Sequence, residues 1–487
     1  MPSEGTRSST GSTVSRRRFI ATSAAGTVAA ALAGCSGDSG GGGGDSGDSG
    51  DSGDGGGATT GNTGSTATGE PVTYVSGNNS PRFKEILRGF AEDFEEERGI
   101  PVDIEFTEIG VGYRQRVVEL IQGGNPPDII NATQFRIGDY AVQDVLRPVD
   151  DVVERVEEEE EEIPDKFKFN YQGNARMVPA VGSVTNNWYR QDIYDEMDLP
   201  LPDTWEKEEE AARAITEADN DLDGLGFATA ATVYGSYHAW TRLFSGGAQV
   251  ASRDGDTIRV ILDQGDNRER VKEVLDHSRT MLQYSPTGTN WDWGEIYGSY
   301  VGGDTATAMY SGGRPKTVSI SEGREWADTT KRVSTPYNTD QRDEPLGNAA
   351  ASGYGLVKGS ANPEGAREFV QYLTTGDRLI EFTRALGFHN IPLFDSWYET
   401  GSEFREGWDY LNDNFDEETI QAEREALLSD NALPFSNETD PPNPYAASAF
   451  ASFTLGQMFY NIAEGGMSND EAIDTAADTL RQQTPME

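Results

Sequence analysis

Between Val72 and Ile130, short β-type runs alternate with amphipathic helical patterns, and this alternation constrains the fold more than any other feature of the chain. Val72-Thr73-Tyr74-Val75 reads as a strand. Arg82 to Arg98 follows as a helix, with Phe83, Ile86, Leu87, Phe90 and Phe94 at helical spacing. Gly99 stops that helix, and Val102-Asp103-Ile104-Glu105-Phe106 alternates as the next strand. A second helix, from Tyr113 to Gln122, ends at Gly123-Gly124, and Pro126-Pro127-Asp128-Ile129-Ile130 enters a third strand. This β-α-β-α-β order predicts an α/β fold with a parallel sheet covered by helices on both faces. Ligands of such sheets sit at the carboxyl ends of the strands. The loops Ser76–Ser80 and Asn131–Arg136 are therefore candidate site segments, with Asn78, Asn79, Asn131 and Gln134 as candidate ligand-binding residues. Ordinary turn chemistry accounts for the three asparagines equally well.

Residues 1–35 read as an address label. Ser15-Arg16-Arg17-Arg18-Phe19-Ile20 resembles a twin-arginine export signal. The run from Ile20 to Ala33 is too short and too mildly apolar to span a bilayer. Leu32-Ala33-Gly34-Cys35 is similar to a lipoprotein cleavage box, and Cys35 is the only cysteine in the chain. A lone thiol forms no internal disulfide, so Cys35 is expected to carry a lipid anchor; a free or buried thiol is the plainer alternative. Residues 36–70 are almost entirely Gly, Ser, Asp, Thr, Asn and Ala, a composition that buries no core. They are expected to act as a flexible tether reaching about 30–35 Å. One acyl chain holds weakly, so a two-chain anchor is expected, with the protein held on the outer face of the membrane.

The 83 acidic and 39 basic residues give a formal net charge of −44. Such a surface repels nucleic acid and anionic lipid, which excludes both as expected partners. Acid-rich, lysine-poor surfaces resemble those of proteins from salt-loving archaea, where a Debye length of about 3 Å at 1 M salt screens self-repulsion. The run Glu157 to Glu162 is read as one solvated patch of this kind rather than a metal site.

From Glu70 onward the chain is too long for a single core and suits two domains. Here a family resemblance emerges, spread over some 250 residues in order. Gly123 to Ile130 resembles the turn before the third strand in family 1 extracellular solute-binding proteins, the maltose-binding-protein-like group. Leu146-Arg147-Pro148-Val149-Asp150-Asp151, Val178-Pro179, Asn187 to Tyr194, Pro202-Asp203-Thr204-Trp205-Glu206, Gly303 to Met309 and Asn362 to Leu373 resemble further segments of that family. The resemblance implies a two-lobed periplasmic-binding-protein-like (type II) fold with a hinge and an interlobe cleft. By that reading one lobe comprises 71–182 and 309–352, and the other 183–308 and 353–487. The crossings are expected at Val181–Thr185, Thr307–Gly312 and Ala351–Tyr354, which are rich in small residues able to absorb backbone rotation.

A sugar-binding cleft needs flat aromatic surfaces and fixed hydrogen-bonding groups. Thr289-Asn290-Trp291-Asp292-Trp293-Gly294-Glu295 offers both, so Trp291, Trp293 and Glu295 are candidates, with loop packing as the alternative. Tyr234, Tyr237 and His238 lie where the family places a cleft aromatic, and equally suit a helix core. Arg314 stands near a position where relatives carry a stacking Trp; it would grip a polar or anionic group or face solvent. Tyr354 and Asn390 complete the set. The segment after the third strand lacks the Trp and Asp used by the maltose binder, so maltose itself is not expected.

Asp219, Asp221 and Asp223 match half of a calcium loop, but the twelfth position is Ala230, so a plain acidic turn is favoured over a metal site. Sequons occur at Asn78, Asn131 and Asn437; a glycan on the first two would block the cleft. No H-E-x-x-H, G-x-S-x-G or Walker pattern is present, so an extracellular carbohydrate-active enzyme is the weaker rival. The expectation is a monomeric, cofactor-free receptor that captures a mono- or oligosaccharide and presents it to the permease subunits of an ABC importer. A polyol or glycerol phosphate diester is the alternative solute.

Overall fold

The computed structural model describes residues 70–107, 111–218, 221–286 and 291–487. The export signal, Cys35, residues 36–69 of the tether, Asp219 and Thr289-Asn290 lie outside the described residues. The first strands fall where the alternation placed them: β1 (Val72–Ser76), β2 (Val102–Phe106) and β3 (Ile129–Thr133). β1 pairs in parallel with both, Val72 opposite Val102 and Tyr74 opposite Ile129. The crossovers are α1 (Pro81–Arg98) and α2 (Val111–Gln122). Ser80 caps α1 by accepting the Phe83 N–H, Pro81 fills the first turn, and Gly99 at φ 71° returns its N–H to the Glu95 carbonyl. The Pro-Pro-Asp turn has a structural cause. Buried Asp128 accepts the Thr73 N–H (2.9 Å), the Thr73 hydroxyl (2.7 Å) and the Asn362 N–H (2.7 Å), tying two strands to a distant helix start. One expectation is corrected here: no loop separates Asn131 from Arg136, because β3 runs directly into α3 (Gln134–Val142).

Two longer strands, β4 (Val178–Arg190) and β7 (Gly347–Leu356), with β5 (Thr307–Ser311), β6 (Thr330–Ser334) and the short strand Ala432–Leu433, complete the main sheet. β4 serves two partners in succession. Val178 to Val184 pair with β7, which pairs on its other side with β3; Thr185 to Arg190 pair with β5 and β6. The change of partner falls inside the expected crossing Val181–Thr185. At the bulge between Ser352 and Gly353, a Cβ on Gly353 would collide with the Val178 carbonyl, so only glycine fits.

Strand pairing and helix packing differ from the expected grouping of segments on two points. Residues 309–334 were expected beside β1–β3, yet β5 and β6 pair with the second half of β4, so Thr307–Gly312 is no crossing. Residues after 353 were expected on the other half, yet the helices Pro363–Leu373 and Gly376–Arg384 pack on α1, while the helices from Thr454 to Gln483 pack on Val233–Ser245 and Gly265–Met281. The thirteen-residue length of β4 is the cause, since one strand spans both halves and the chain returns through β7.

The remaining helices that position the site are α4 (Trp205–Glu217), α5 (Val233–Ser245), α6 (Gly265–Met281), α7 (Trp293–Gly302), α8 (Arg314–Ser321), α9 (Pro363–Leu373), α10 (Gly376–Arg384), α11 (Glu417–Leu428), α12 (Ala446–Ala451), α13 (Thr454–Ala463) and α14 (Asn469–Gln483). A second core forms among α5, α6, α13 and α14, where Trp240, Leu243, Leu275, Phe459 and Leu480 are buried. Thr204 caps α4, and Trp205 stacks on His277 at 4.2 Å. One turn on, Glu208 meets Arg242 in a buried bidentate pair at 2.6 and 2.8 Å. Burial pushes the Glu208 carboxyl up, but Arg242 overrides it and holds the group below the ordinary carboxylate range.

The acidic run is more than a solvated patch. Glu157 pairs with Lys168 and accepts the Ile163 N–H, while Glu159, Glu160 and Glu161 accept from Gln371, Gly376 and Ser396. Among the described residues no helix is long and apolar enough to cross a membrane.

Candidate functional site

Two chambers meet at Asn131, Ala132 and Thr133 at the carboxyl end of β3, and a third adjoins the second at Leu386 and His389. The first, about 550 Å³, has one wall from α2, β3 and α3, including Tyr113, Arg136 and Tyr140. Val233 at the start of α5, with Phe450 and Phe453 around α12, forms the facing wall. The second chamber, about 290 Å³, shares Asn131, Ala132 and Thr133 with the first. It is walled by Gly77 to Ser80, by Ala180 and Val181 of β4, and by Ser352 to Tyr354 of β7. The third, about 480 Å³, shares Leu386 and His389 with the second and opens between α8 and Trp408.

The structure brings Asn78, Asn79, Asn131, Tyr354 and Asn390 together on the second chamber. Asn131 is fixed from two sides. Its Oδ1 accepts the Gly77 N–H at 2.8 Å, and its own N–H donates to the Tyr113 hydroxyl, which in turn donates to the Val75 carbonyl. Tyr354 lies opposite Asn131 in the ladder and meets Tyr74 edge-on at 5.9 Å. His389 stands at the junction with the third chamber; burial, then Arg314 nearby, lower its pKa to about 4, and its Nδ1 is buried without a partner. Arg314 belongs to the third chamber, with its guanidinium 5.1 Å from the Tyr297 ring centre. Tyr140 in the first chamber is pushed up to about 12 by burial, so it stays a protonated donor.

The other expected site residues line none of the three chambers. Gln134 is buried in α3 and donates to the Lys166 carbonyl at 2.5 Å. Tyr234 is buried, donating from its hydroxyl to the Met309 carbonyl at 2.6 Å, and the Tyr237 hydroxyl is bound to the Thr185 hydroxyl. Trp293 is enclosed by Tyr234 and Tyr237 at 4.9 Å and Tyr310 at 5.0 Å. Trp291 is half-buried against the core near Gly226. Glu295 is the reciprocal partner of Asp292 in the capping box of α7. Asp223 joins the Asp304 and Ala306 backbone, and no group of side chains able to hold a metal occurs among the described residues.

His238 is fully buried, with Nδ1 at 3.1 Å from the Ala228 carbonyl and Nε2 accepting from Arg242 at 3.2 Å. Burial first, then the Arg242 charge, lower its pKa to about 3. The folded form therefore stays neutral where the unfolded chain, titrating near 6.5, takes up a proton. Stability from His238 is present above pH ~6.5 and is lost as pH falls toward about 3. Urea unfolding of the protein and of His238→Gln should show wild type losing its advantage across that window; a constant difference would contradict this.

Sequence reasoning passed over individual residues of the first chamber. Arg136, Asp139 and Tyr140 of α3, with Gln143 at its C-cap, form a stripe at helical spacing, while only Asn131–Arg136 at its start was read as a loop. Phe453, at φ 56° before α13, takes the left-handed conformation that non-glycine residues seldom adopt outside tightly determined sites.

Comparison with known proteins follows this geometry. A family model described as bacterial extracellular solute-binding protein matches residues 78–376. No curated protein sequence matches the chain. Among solved structures, an ABC transporter solute-binding protein from Thermotoga lettingae TMO bound with alpha-D-tagatose is 18% identical, covering 85% of this chain and 99% of that one, with TM-score 0.67. The GacH receptor of Streptomyces glaucescens, solved unliganded and with acarbose, is 17% identical over 85% and 99%, TM-score 0.66. A solute-binding protein from Agrobacterium radiobacter K84 in complex with ribitol is 16% identical over 85% and 100%, TM-score 0.65. These neighbours share the two-lobed fold, and family and neighbours alike are binding proteins rather than enzymes. The chain belongs to the extracellular solute-binding proteins.

Proposed function

We propose that the protein captures a carbohydrate or polyol outside the cell, closes on it, and delivers it to an ABC permease. The observation that carries this reading is the second chamber. Four asparagine side chains and the Tyr354 ring line it beside the strand that changes partners at Val184 and Thr185. Amides fix hydroxyls, and the apolar ring faces take C–H surfaces, which is the pairing a sugar needs. The lobes, on this reading, are 71–184 with α9 and α10, and 185–346 with α12 to α14, turning about β4 and β7. Closure is driven by the tighter grip of the shut form on the solute.

The anchor belongs to the same reading. Lipidated Cys35 and a Gly/Ser/Asp tether hold a monomeric receptor at the membrane after twin-arginine export, and the −44 charge fits a brine setting. Calorimetric titration against neutral and acidic sugars and polyols tests the function. Saturable binding with the solute recovered intact is expected; turnover, or no binding by any member, would overturn the reading.

A further inference from the structure

Inside the cleft the charge runs against the sign of the whole chain. Arg114, Arg136 and Asp139 are the charged side chains of the first chamber, and Arg314 and Arg384 those of the third. The second chamber has no carboxylate or guanidinium on its walls. Four arginines thus face one aspartate, in a chain with 83 acidic and 39 basic residues.

The aspartate is already engaged. Asp139 lies 3.4 Å from Arg114 and accepts the Ser448 hydroxyl at 2.7 Å. Arg384 donates to the carbonyls of Glu403, Phe404 and Glu406. Arg136 and Arg314 differ from every other arginine that is at least partly buried among the described residues, since neither makes an ion pair or a hydrogen bond with the protein. Arg136 only rests 5.7 Å from the Phe135 ring centre, and the Nε of Arg314 is buried without an acceptor. A guanidinium withdrawn from water without an acceptor is costly, and burial lowers the Arg136 pKa accordingly. The Asp139 charge is felt at Arg136, but no carboxylate stands within ion-pair distance of either fork. The planar forks suit carboxylate or phosphate oxygens, which accept in bidentate geometry.

We infer, on the receptor reading given above, that the solute is an acidic carbohydrate, one bearing a carboxylate or a phosphate. Arg136 and Arg314 take its charged groups, and the uncharged chamber between them takes hydroxyls on its asparagine amides. The positive lining also draws an anion inward past a negative surface.

The test is calorimetry on the full chain with matched pairs. Glucose against glucuronate and galactobiose against digalacturonate form the carboxylate arm; a hexose against its phosphate monoester forms the phosphate arm. At least one acidic member should bind about tenfold or more tightly than its neutral twin, and Arg136→Gln or Arg314→Gln should abolish that preference, as expected for a hydrogen bond to a charged group. The unfolding midpoint should not fall in either variant, so that a lost preference is not a folding defect. The inference is overturned if neutral twins bind as well, if both variants keep the preference, or if no acidic twin binds. A neutral sugar that binds and closes the cleft would leave the receptor reading intact while removing this one; no saturable binding by any sugar would remove both.

Discussion

Replacing Glu208 with alanine is expected to cost about 3–5 kcal/mol of stability, because the Arg242 guanidinium would be left buried without its carboxylate. The loss spreads further than one pair. Glu208 also accepts the Asn187 amide at 3.1 Å, which ties α4 to β4, and Arg242 supports His238. Chemical unfolding should show the fall in midpoint. Changing Glu208 and Arg242 together to methionine should cost less than Glu208→Ala, since no buried charge is then orphaned. A Glu208→Ala protein as stable as wild type would show that the pair contributes nothing.

Replacing Trp293 with alanine is expected to cost about 3 kcal/mol, the lower end for an aromatic lost from a packed interior, because its ring is half-buried. The three tyrosines around it would lose a shared partner, and the start of α7 would loosen. The folded fraction should keep its affinity for solute, since Trp293 lines none of the three chambers. Normal stability with abolished binding would reverse this and return Trp293 to the cleft.

That pair of outcomes marks what the chain discloses on reading and what it hides. Val72 to Ile130 could be read element by element because apolar spacing separates a period near two from one near 3.6, and Ser80, Pro81 and Gly99 mark the helix ends. The loop after β1 that carries Asn78 and Asn79 was legible for the same reason, whereas Asn131 lies inside β3. Aromatic residues carry no such label, because a tryptophan facing a cleft and one facing a core look alike along the chain. The spacing Asp292-x-x-Glu295 did hold a cue, a capping box that makes Trp293 a first-turn helix residue. Strand partnering beyond β3 was the least legible feature. It depends on one strand outlasting its first set of partners, and only the ladder from Thr185 to Arg190 reveals that.

Small-angle scattering of the full chain with and without a calorimetrically identified solute bears most directly on the account. Two halves that turn about β4 and β7 should draw together, so the radius of gyration should fall at saturation and the solute should be recovered unchanged. An identical scattering profile at saturation, or a chemically altered solute, would contradict it.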